Sequence, residues 1–363
     1  MFRNLPLAIF ATVMCAVSAW AQQMPDSPAK YSSDLQRAAD GIHTLQSWYT
    51  QSTGLYKTTG WWNSANAITV LANYARLSHG NDYKPIFANT FQQAQKTSRG
   101  FLNNFYDDEG WWALAWIDVY DLTREPLYLS MAASIFADMA NGWDSTCGGG
   151  IWWSKDRKYK NAIANELFLS VAAHLAARTS DPAKRAQYLA WAHQEWDWFA
   201  NSGMINAQHL INDGLDLATC KNNQKTAWTY NQGVILGGLT ELNSVAPDLA
   251  LSATAQSIAA AALSHLTDSN GILHDTCEPK CGEDGVQFKG IFVRNLMALN
   301  TAFPDPHYSS FIHVNAEGIW NHSQGPNHQF GQVWSGPFDA GHAGSQSSAL
   351  DALVAAAQME RSK

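Results

Sequence analysis

Two adjacent carboxylates, Asp107 and Asp108, stand directly before a predicted helix that carries three tryptophans, Trp111, Trp112 and Trp116. The run is apolar on most sides, which is typical of a buried helix. Its first residues would therefore present two acids and several aromatic rings to the space above them. Two carboxylates at close range can divide the work of glycoside cleavage, one as acid and the other as nucleophile or base. The aromatic surroundings are those of a sugar-binding cleft.

The acid pair also has a simpler interpretation as a helix cap. Aspartate is favoured at the N-cap, and acids near a helix start suit the macrodipole. One cap requires only one aspartate, however, and no Lys or Arg lies close in sequence to neutralise the second. This imbalance favours catalysis, and the capping hypothesis stays open.

The composition argues against several classes of partner. Hydrophobic residues make up 46% of the 363 and charged residues only 15%, so a sizeable core is available and disorder is not expected. The net charge is -8 and no Lys/Arg run occurs, which disfavours nucleic acid and anionic membranes. The 16 tryptophans exceed what a core usually needs, and they favour a neutral glycan as partner.

The first 21 residues are predicted to be a secretory signal peptide. Arg3 supplies the positive charge, an apolar stretch follows, and Ala19-Trp20-Ala21 is a typical cleavage site. No other segment is apolar for the length that a bilayer requires, and the C-terminus lacks the hydrophobic tail of a GPI signal. We therefore expect residues 22–363 to be secreted or periplasmic, without a membrane anchor, and monomeric.

Four cysteines remain after the leader, namely Cys147, Cys220, Cys277 and Cys281. In an oxidising compartment they permit three disulfide pairings, among which the sequence does not choose. A zinc site is disfavoured because only His274 lies near these cysteines at ligand spacing. We expect no metal and no cofactor.

Apolar positions recur at helical spacing almost to the C-terminus, with no alternating strand pattern. Aromatic loop residues precede helices rich in small residues, and more ordinary amphipathic helices lie between them. This alternation predicts inner and outer helices closing into an all-α, (α/α)6 barrel, a single domain over residues 22–363, with Ser323–Ser345 as a long loop at its mouth. The predicted helices are Asp34–Tyr49, Trp62–Ser78, Tyr83–Phe105, Glu109–Tyr120, Glu125–Met139, Tyr159–Arg178, Ala183–Asn201, Thr226–Asn243, Pro247–Thr267, Val286–Thr301, Pro306–Asn321 and Ser345–Arg361.

Several segments together resemble glycoside hydrolase family 76, the endo-α-1,6-mannanases and their fungal cell-wall relatives. The resemblance covers most of the chain from Asp34 onward, and it is specific as a set. It is carried, in order, by residues 106–116 (YDDEGWWALAW), 147–153 (CGGGIWW), 159–163 (YKNAI), 165–167 (NEL), 213–214 (DG), 229–233 (TYNQG) and 288–294 (FKGIFVR).

The resemblance implies an (α/α)6 fold and a retaining mechanism without a metal. By it, Asp107 corresponds to the nucleophile, Asp108 to the general acid/base, and Asp213 to an acid that contacts the sugar. The expected substrate is an α-1,6-linked mannan polysaccharide or oligosaccharide. The fungal relatives keep a membrane anchor and are thought to be transglycosidases, whereas this sequence lacks one, which favours the free hydrolase.

The candidate substrate-binding residues combine aromatic rings, planar amides and charges of these motifs. Amides suit bidentate hydrogen bonds with sugar hydroxyls, although a capping role is an equal alternative. Lys289 and Arg294 could instead buttress the carboxylates from behind. The full set is Trp62, Asn63, Trp111, Trp112, Trp152, Asn161, Asp213, Tyr230, Asn231, Gln232, Lys289 and Arg294.

Three functions stay open at the level of sequence: a retaining endo-hydrolase, a transglycosidase, and a non-catalytic glycan-binding protein on the same scaffold. Both acids are present, which favours an enzyme because a binding protein has no need to hold two charges together. A terpenoid-synthase metal motif fails because position 111 is Trp, and no G-x-S-x-G elbow occurs.

Overall fold

Six helices form a closed inner ring in the computed structural model, which describes residues Asp34–Arg361. In ring order these are α2, α4, α6, α8, α11 and α13, and each packs against the next until α13 meets α2. The outer helices α1, α5, α7, α9 and α12 pack against them. The helices are α1 (Asp34–Gln46), α2 (Trp61–Ser78), α3 (Lys84–Gln93), α4 (Tyr106–Thr123), α5 (Pro126–Met139), α6 (Ala162–Arg178), α7 (Pro182–Asn201), α8 (Thr229–Val245), α9 (Leu249–His265), the single turn α10 (Gly282–Gly285), α11 (Phe288–Ala302), α12 (Pro306–His322) and α13 (Ala343–Arg361).

This is the (α/α)6 barrel that the sequence predicted. The predicted signal peptide lies outside the described residues. Among the described residues, no helix is long and apolar enough to cross a membrane.

Small residues allow the inner helices to approach closely. A Cβ atom on Gly233 of α8 would lie 2.5 Å from the Cα of Phe292 on α11. At the next helix contact, between α11 and α13, a Cβ on Gly290 would lie 2.3 Å from the backbone oxygen of Ser348. Any larger residue would push these backbones apart, because protein interiors are close-packed. Small residues of the inner helices thus lie at their mutual contacts, as predicted, although the outer helix α9 is rich in alanine as well.

Aspartates fix the starts of three outer helices. The carboxylates of Asp181, Asp248 and Asp305 accept hydrogen bonds from backbone N–H groups in the first turns of α7, α9 and α12. These bonds satisfy donors that have no partner within the helix. Proline follows the cap in α7 and α12, where its fixed φ suits the first helical position.

The predicted helix Tyr83–Phe105 is wrong in its second half. Helix α3 ends at Gln93, and two 3-10 turns follow, at Ala94–Lys96 and Arg99–Phe101. Gly100 has φ 68°, a left-handed conformation that cannot continue an α-helix. The break lets the chain turn back and enter α4.

Two short antiparallel ladders were also not predicted, because two-residue strands carry no periodic signal. Strand β1 (Tyr49–Thr50) pairs with β2 (Leu55–Tyr56), and β3 (Leu215–Asp216) pairs with β4 (Lys221–Asn222). The second ladder, the β3–β4 hairpin, follows Asp213 directly and shapes one side of the site.

Candidate active site

A cleft of about 530 Å³ opens where the N-terminal ends of the inner helices converge. Helices α2, α4, α8 and α11 each contribute first-turn residues to it, and α6 contributes its N-cap residue. Helix N-termini carry a partial positive charge, so their convergence favours carboxylates in this space. The lining residues are Trp62, Phe105, Asp107, Asp108, Trp111, Trp153, Tyr159, Asn161, Asp213, Tyr230, Asp284 and Phe288.

The acid pair lies in the first turn of α4, because this helix begins at Tyr106, three residues before its predicted start. The N-cap residue is Phe105, and no side chain caps the helix. The two aspartates instead face the cleft. The structure therefore does not support the capping interpretation.

The two carboxylates have different donors. Asp107 accepts hydrogen bonds from the backbone N–H of Asp108 at 3.1 Å and from the indole N–H of Trp153 at 2.9 Å. Asp108 accepts one from the side-chain amide of Asn103 at 2.6 Å. Since hydrogen bonds to a carboxylate stabilise its charged form, the two donors to Asp107 favour its negative charge, and the amide of Asn103 does the same for Asp108.

Burial raises the pKa of both acids. The pKa of Asp108 rises to about 6 through desolvation, opposed by the Asn103 hydrogen bond and reinforced by the charge of Asp284. Desolvation and then the charge of Asp108 raise the pKa of Asp107 well above its ordinary value, opposed by the hydrogen bonds from Trp153 and the backbone. Two carboxylates in such contact do not both ionise readily near neutral pH, so the pair can hold one shared proton. This is the state that an acid and a nucleophile need.

Asp213 lies on the α6 side of the pair. Its Oδ2 accepts a hydrogen bond from the hydroxyl of Tyr159, and its backbone oxygen accepts one from Ala162 at 2.9 Å. Asn161, the N-cap of α6, pairs with Gly214 in an antiparallel bridge. The start of α6 thus holds the acid at the edge of the cleft.

Asp284 lies on the α2 side of the acid pair and was not among the predicted site residues. Its Oδ1 accepts a hydrogen bond from the indole N–H of Trp62 at 2.7 Å. It belongs to the single turn α10, which begins immediately after a disulfide between Cys277 and Cys281. The sequence signal for Asp284 was its position shortly after Cys277 and Cys281, because a disulfide between these two cysteines restrains the loop that carries the acid.

Four aromatic rings of the cleft lining pack against one another. Trp62 stacks on Trp111 with ring centroids 5.5 Å apart, and Trp111 stacks on Tyr230 at 6.4 Å. Tyr230 in turn stacks on Phe288 at 3.8 Å. Within each of these three pairs, the two ring planes are inclined to each other by at most 26°. Phe288 also lies 6.3 Å from Trp62, so the four rings form a compact cluster, which suits the apolar face of a sugar ring.

Five of the twelve predicted substrate-binding residues line the cleft: Trp62, Trp111, Asn161, Asp213 and Tyr230. The other seven lie behind its wall, with at most 14% of the side chain exposed. Trp112 packs between Trp61 and Phe101, and the indole of Trp152 donates to Asp144. These two rings offer no face to a ligand in the cleft.

The amides of this set already have roles inside the protein or lie buried. Asn63 donates to the backbone oxygen of Glu283, and Gln232 hydrogen-bonds to the backbone of Ile211. Asn231 is fully buried with no hydrogen-bond partner. None of the three reaches the cleft, because the first turns of α2 and α8 present Trp62 and Tyr230 to it instead.

The two cations lie behind the cleft lining and pair with carboxylates outside it, not with the acids of the cleft. Arg294 binds Asp351 at 3.0 Å and lies 5.8 Å from the ring centroid of Trp111. Lys289 contacts Glu278 at 2.6 Å and donates to the backbone oxygen of Gln332 at 2.7 Å. Lys289 therefore anchors the loop that leads to Asp284.

The cysteines pair as Cys147–Cys220 and Cys277–Cys281. The first bond ties the β3–β4 hairpin to the loop before Trp152, and the second closes the short clip before Asp284. No cluster of three or more metal-binding side chains occurs in the part of the chain that the structure describes. No residue of the long loop 323–345 lines the cleft; that loop packs on α1 and α13 through Thr44 and Gln346.

Comparison with known proteins extends over nearly the whole chain. The family model of glycosyl hydrolase family 76 matches residues 32–363. Mannan endo-1,6-alpha-mannosidase DCW1 of Candida albicans is 25% identical over 330 residues, covering 81% of this chain and 72% of that protein. Mannan endo-1,6-alpha-mannosidase DFG5 of the same yeast is 27% identical over 327 residues, covering 81% and 72%.

A solved structure has the same fold. It is an inactive variant of the α-1,6-mannanase of a Salegentibacter species, in complex with α-1,6-mannotetrose. The TM-score is 0.82 at 21% identity, over 90% of this chain and 100% of that one.

Proposed function

Since the chain belongs to glycosyl hydrolase family 76 and is thus a glycoside hydrolase, we propose that it is a secreted endo-acting enzyme that cleaves α-1,6-mannosidic bonds of mannan with retention. The observation that carries this proposal is the adjacent acids Asp107 and Asp108, which both line an aromatic cleft and both have a raised pKa through desolvation.

The substrate assignment rests on relatives and on the shape of the cleft. The curated relatives described above are named mannan endo-1,6-alpha-mannosidases, and a protein of the same fold was solved with an α-1,6-mannan oligosaccharide. The aromatic cluster of Trp62, Trp111, Tyr230 and Phe288 offers apolar surface to a sugar ring beside the acid pair.

In the proposed first step, the carboxylate of Asp107 attacks the anomeric carbon while Asp108 gives its proton to the leaving oxygen. The bond from carbon to Asp107 forms as the glycosidic bond breaks, and the shortened chain leaves with a free hydroxyl. In the second step Asp108, now ionised, takes a proton from water, whose oxygen displaces Asp107. Two inversions at the same carbon return the α configuration.

The different donors of the two acids support this division of roles. The hydrogen bonds from Trp153 and from the helix backbone stabilise the charge that Asp107 needs as a nucleophile. The raised pKa of Asp108, about 6, suits a group that first gives and later takes a proton near neutral pH.

Export is part of the proposal. Two disulfides are typical of an oxidising compartment. They agree with the signal peptide that the sequence predicts, and N-terminal sequencing of protein secreted with its leader should begin at Gln22.

A panel of polysaccharides tests the function. We expect release of reducing ends from linear α-1,6-mannan, with oligosaccharides as the early products, and little release from α-1,2-linked or β-1,4-linked mannan. Transfer products on mannan oligosaccharides would favour the transglycosidase instead. Binding to α-1,6-mannan without any bond cleavage would favour the glycan-binding protein and contradict the proposal.

A further inference from the structure

A second cavity, of about 670 Å³, adjoins the cleft on the far side of Tyr159. Tyr159 lines both spaces and stands between them. The wall of that cavity is the β3–β4 hairpin with its following loop, together with Lys158. We refer to it as the lysine cavity because Lys158, Lys221 and Lys225 line it.

The charge changes sign across Tyr159. Four aspartates and no cation line the catalytic cleft. Three lysines and one aspartate, Asp216, line the lysine cavity. The Oδ1 of Asp216 accepts hydrogen bonds from the backbone N–H groups of Ala218 and Thr219, so its charge stabilises the hairpin turn. The whole chain has eight more acidic than basic residues, so these lysines form a local excess of positive charge beside the cleft.

The three lysines are exposed, and the ammonium of Lys225 lies 5.4 Å from the centroid of the Tyr159 ring. Among the described residues, no carboxylate lies within ion-pair distance of any of the three ammonium groups. The amides of the same wall are engaged, since Asn222 donates to Gly203 and Asn212, and Asn223 donates to Tyr159 at 2.8 Å. The donors left for a ligand are therefore mainly positive charges, which suit an anion better than a neutral hydroxyl.

Two links fix the lysine cavity relative to the catalytic acids. The side chains of Asn223, Tyr159 and Asp213 form a hydrogen-bonded chain from the hairpin into the cleft. The disulfide Cys147–Cys220 ties the residue next to Lys221 to the loop before α6. A group bound by the lysines is thereby held at a set position along the glycan.

We propose that the lysine cavity is a subsite for an anionic substituent, of the phosphate ester class, on a sugar beyond Tyr159. The proposal rests on the proposed mannan-cleaving function and deepens it, because it makes the enzyme selective for phosphorylated mannan chains. The three ammonium groups supply the countercharge, and the stacked cleft binds the neutral sugars that precede the substituent.

The test compares an α-1,6-mannotetraose with the same oligosaccharide carrying one phosphate monoester on a terminal sugar. We expect kcat/KM to be higher for the phosphorylated form and this advantage to shrink as salt is added. Replacing all three lysines (Lys158→Gln, Lys221→Gln, Lys225→Gln) should lower kcat/KM on the phosphorylated substrate about tenfold, since exposed ion pairs are individually weak. Turnover of the neutral substrate should stay unchanged.

A matched variant controls for the overall loss of charge. It replaces three exposed lysines on or near outer helices, and it should keep the full preference for the phosphorylated substrate: Lys84→Gln, Lys96→Gln and Lys184→Gln. Equal kcat/KM on the two substrates in the unaltered enzyme would overturn the proposal, as would equal losses in both triple variants. If neither oligosaccharide is cleaved, the proposed function itself fails. Calorimetric binding of the two oligosaccharides then still tests the subsite, and equal affinities would overturn it.

Discussion

The two sides of α4 each deliver one carboxylate to the cleft, and each uses an aromatic donor to hold it. On the α6 side, the hydroxyl of Tyr159 holds Asp213; on the α2 side, the indole of Trp62 holds Asp284. The Asp213 side is stapled by a disulfide that joins residues 73 positions apart, whereas the bond beside Asp284 spans only four.

The sides also differ in their electrostatic effect. Asp284 raises the pKa of Asp108, whereas Asp213 is not among the groups that shift it. The pKa of Tyr230, raised chiefly by burial, is affected by both flanking acids. A similar holding geometry can therefore serve two purposes. In the proposed mechanism, Asp213 would contact the substrate, while Asp284 would also tune the pKa of the acid.

The largest expected effect distinguishes the central acids, Asp107 and Asp108, from the flanking acids on either side of them. Asp107→Asn and Asp108→Asn should each lower kcat on α-1,6-mannan by about a thousandfold or more, because each removes a reacting group. Asp213→Asn and Asp284→Asn should lower kcat/KM only about 10- to 100-fold, as expected for a lost charged hydrogen bond. Circular dichroism should show unchanged helix content. A flank variant as inactive as the central ones would remove the distinction.

The disulfides should differ in their contribution to stability. In the chain-entropy account, closing the longer loop stabilises the fold by about 4 kcal/mol and closing the short one by about 2 kcal/mol. The double variant Cys147→Ala/Cys220→Ala should therefore melt at a lower temperature than Cys277→Ala/Cys281→Ala. Calorimetry of the two matched variants measures this, and the reverse order would contradict the comparison.

The dependence of kcat/KM on pH should distinguish the Asp284 side of the cleft from the Asp213 side. As the general acid, Asp108 must start protonated, so activity falls as pH rises through its pKa. Asp284→Asn removes a negative charge that raises this pKa, and the alkaline limb should move to lower pH. Asp213→Asn should leave that limb in place. Equal shifts in the two variants, measured as kcat/KM against pH, would show that the acid senses both flanks alike.

The smallest effects concern the aromatic donors. Tyr159→Phe removes the hydroxyl that holds Asp213 and should raise KM about three- to tenfold with kcat nearly unchanged, the cost of one hydrogen bond. Trp62→Phe removes the indole N–H that holds Asp284 and should additionally alter the pH profile as Asp284→Asn does. An unaltered pH profile for Trp62→Phe would mean that Asp284 keeps its position without the indole.

The sequence predicted the barrel and the acid pair because both rest on strong local patterns. The orientation of the rings in each Trp-Trp pair was harder to predict, since adjacent side chains diverge and only one ring can face the cleft. Trp111 lines the cleft whereas Trp112 does not, and Trp153 lines it whereas Trp152 does not. Periodicity alone did not say which member of a doublet points outward.

Residues brought in by irregular loops were the least predictable. Asp284 reaches the cleft through a disulfide clip and a salt bridge between Lys289 and Glu278, neither of which has a periodic signature. The left-handed Gly100, which ends the predicted long helix, is likewise one residue without a pattern around it.

The stereochemistry of the first product tests the central claim most directly. Retention requires carboxyl groups about 5–5.5 Å apart, which neighbouring acids can meet, whereas inversion requires about 6.5–9.5 Å and room for a water. Proton NMR of α-1,6-mannotetraose during the first turnovers, before mutarotation, reads the anomer formed. The Asp107/Asp108 pair predicts the α-anomer. A β-anomer would contradict it and would move the second catalytic role to an acid across the cleft, with Asp213 the first candidate.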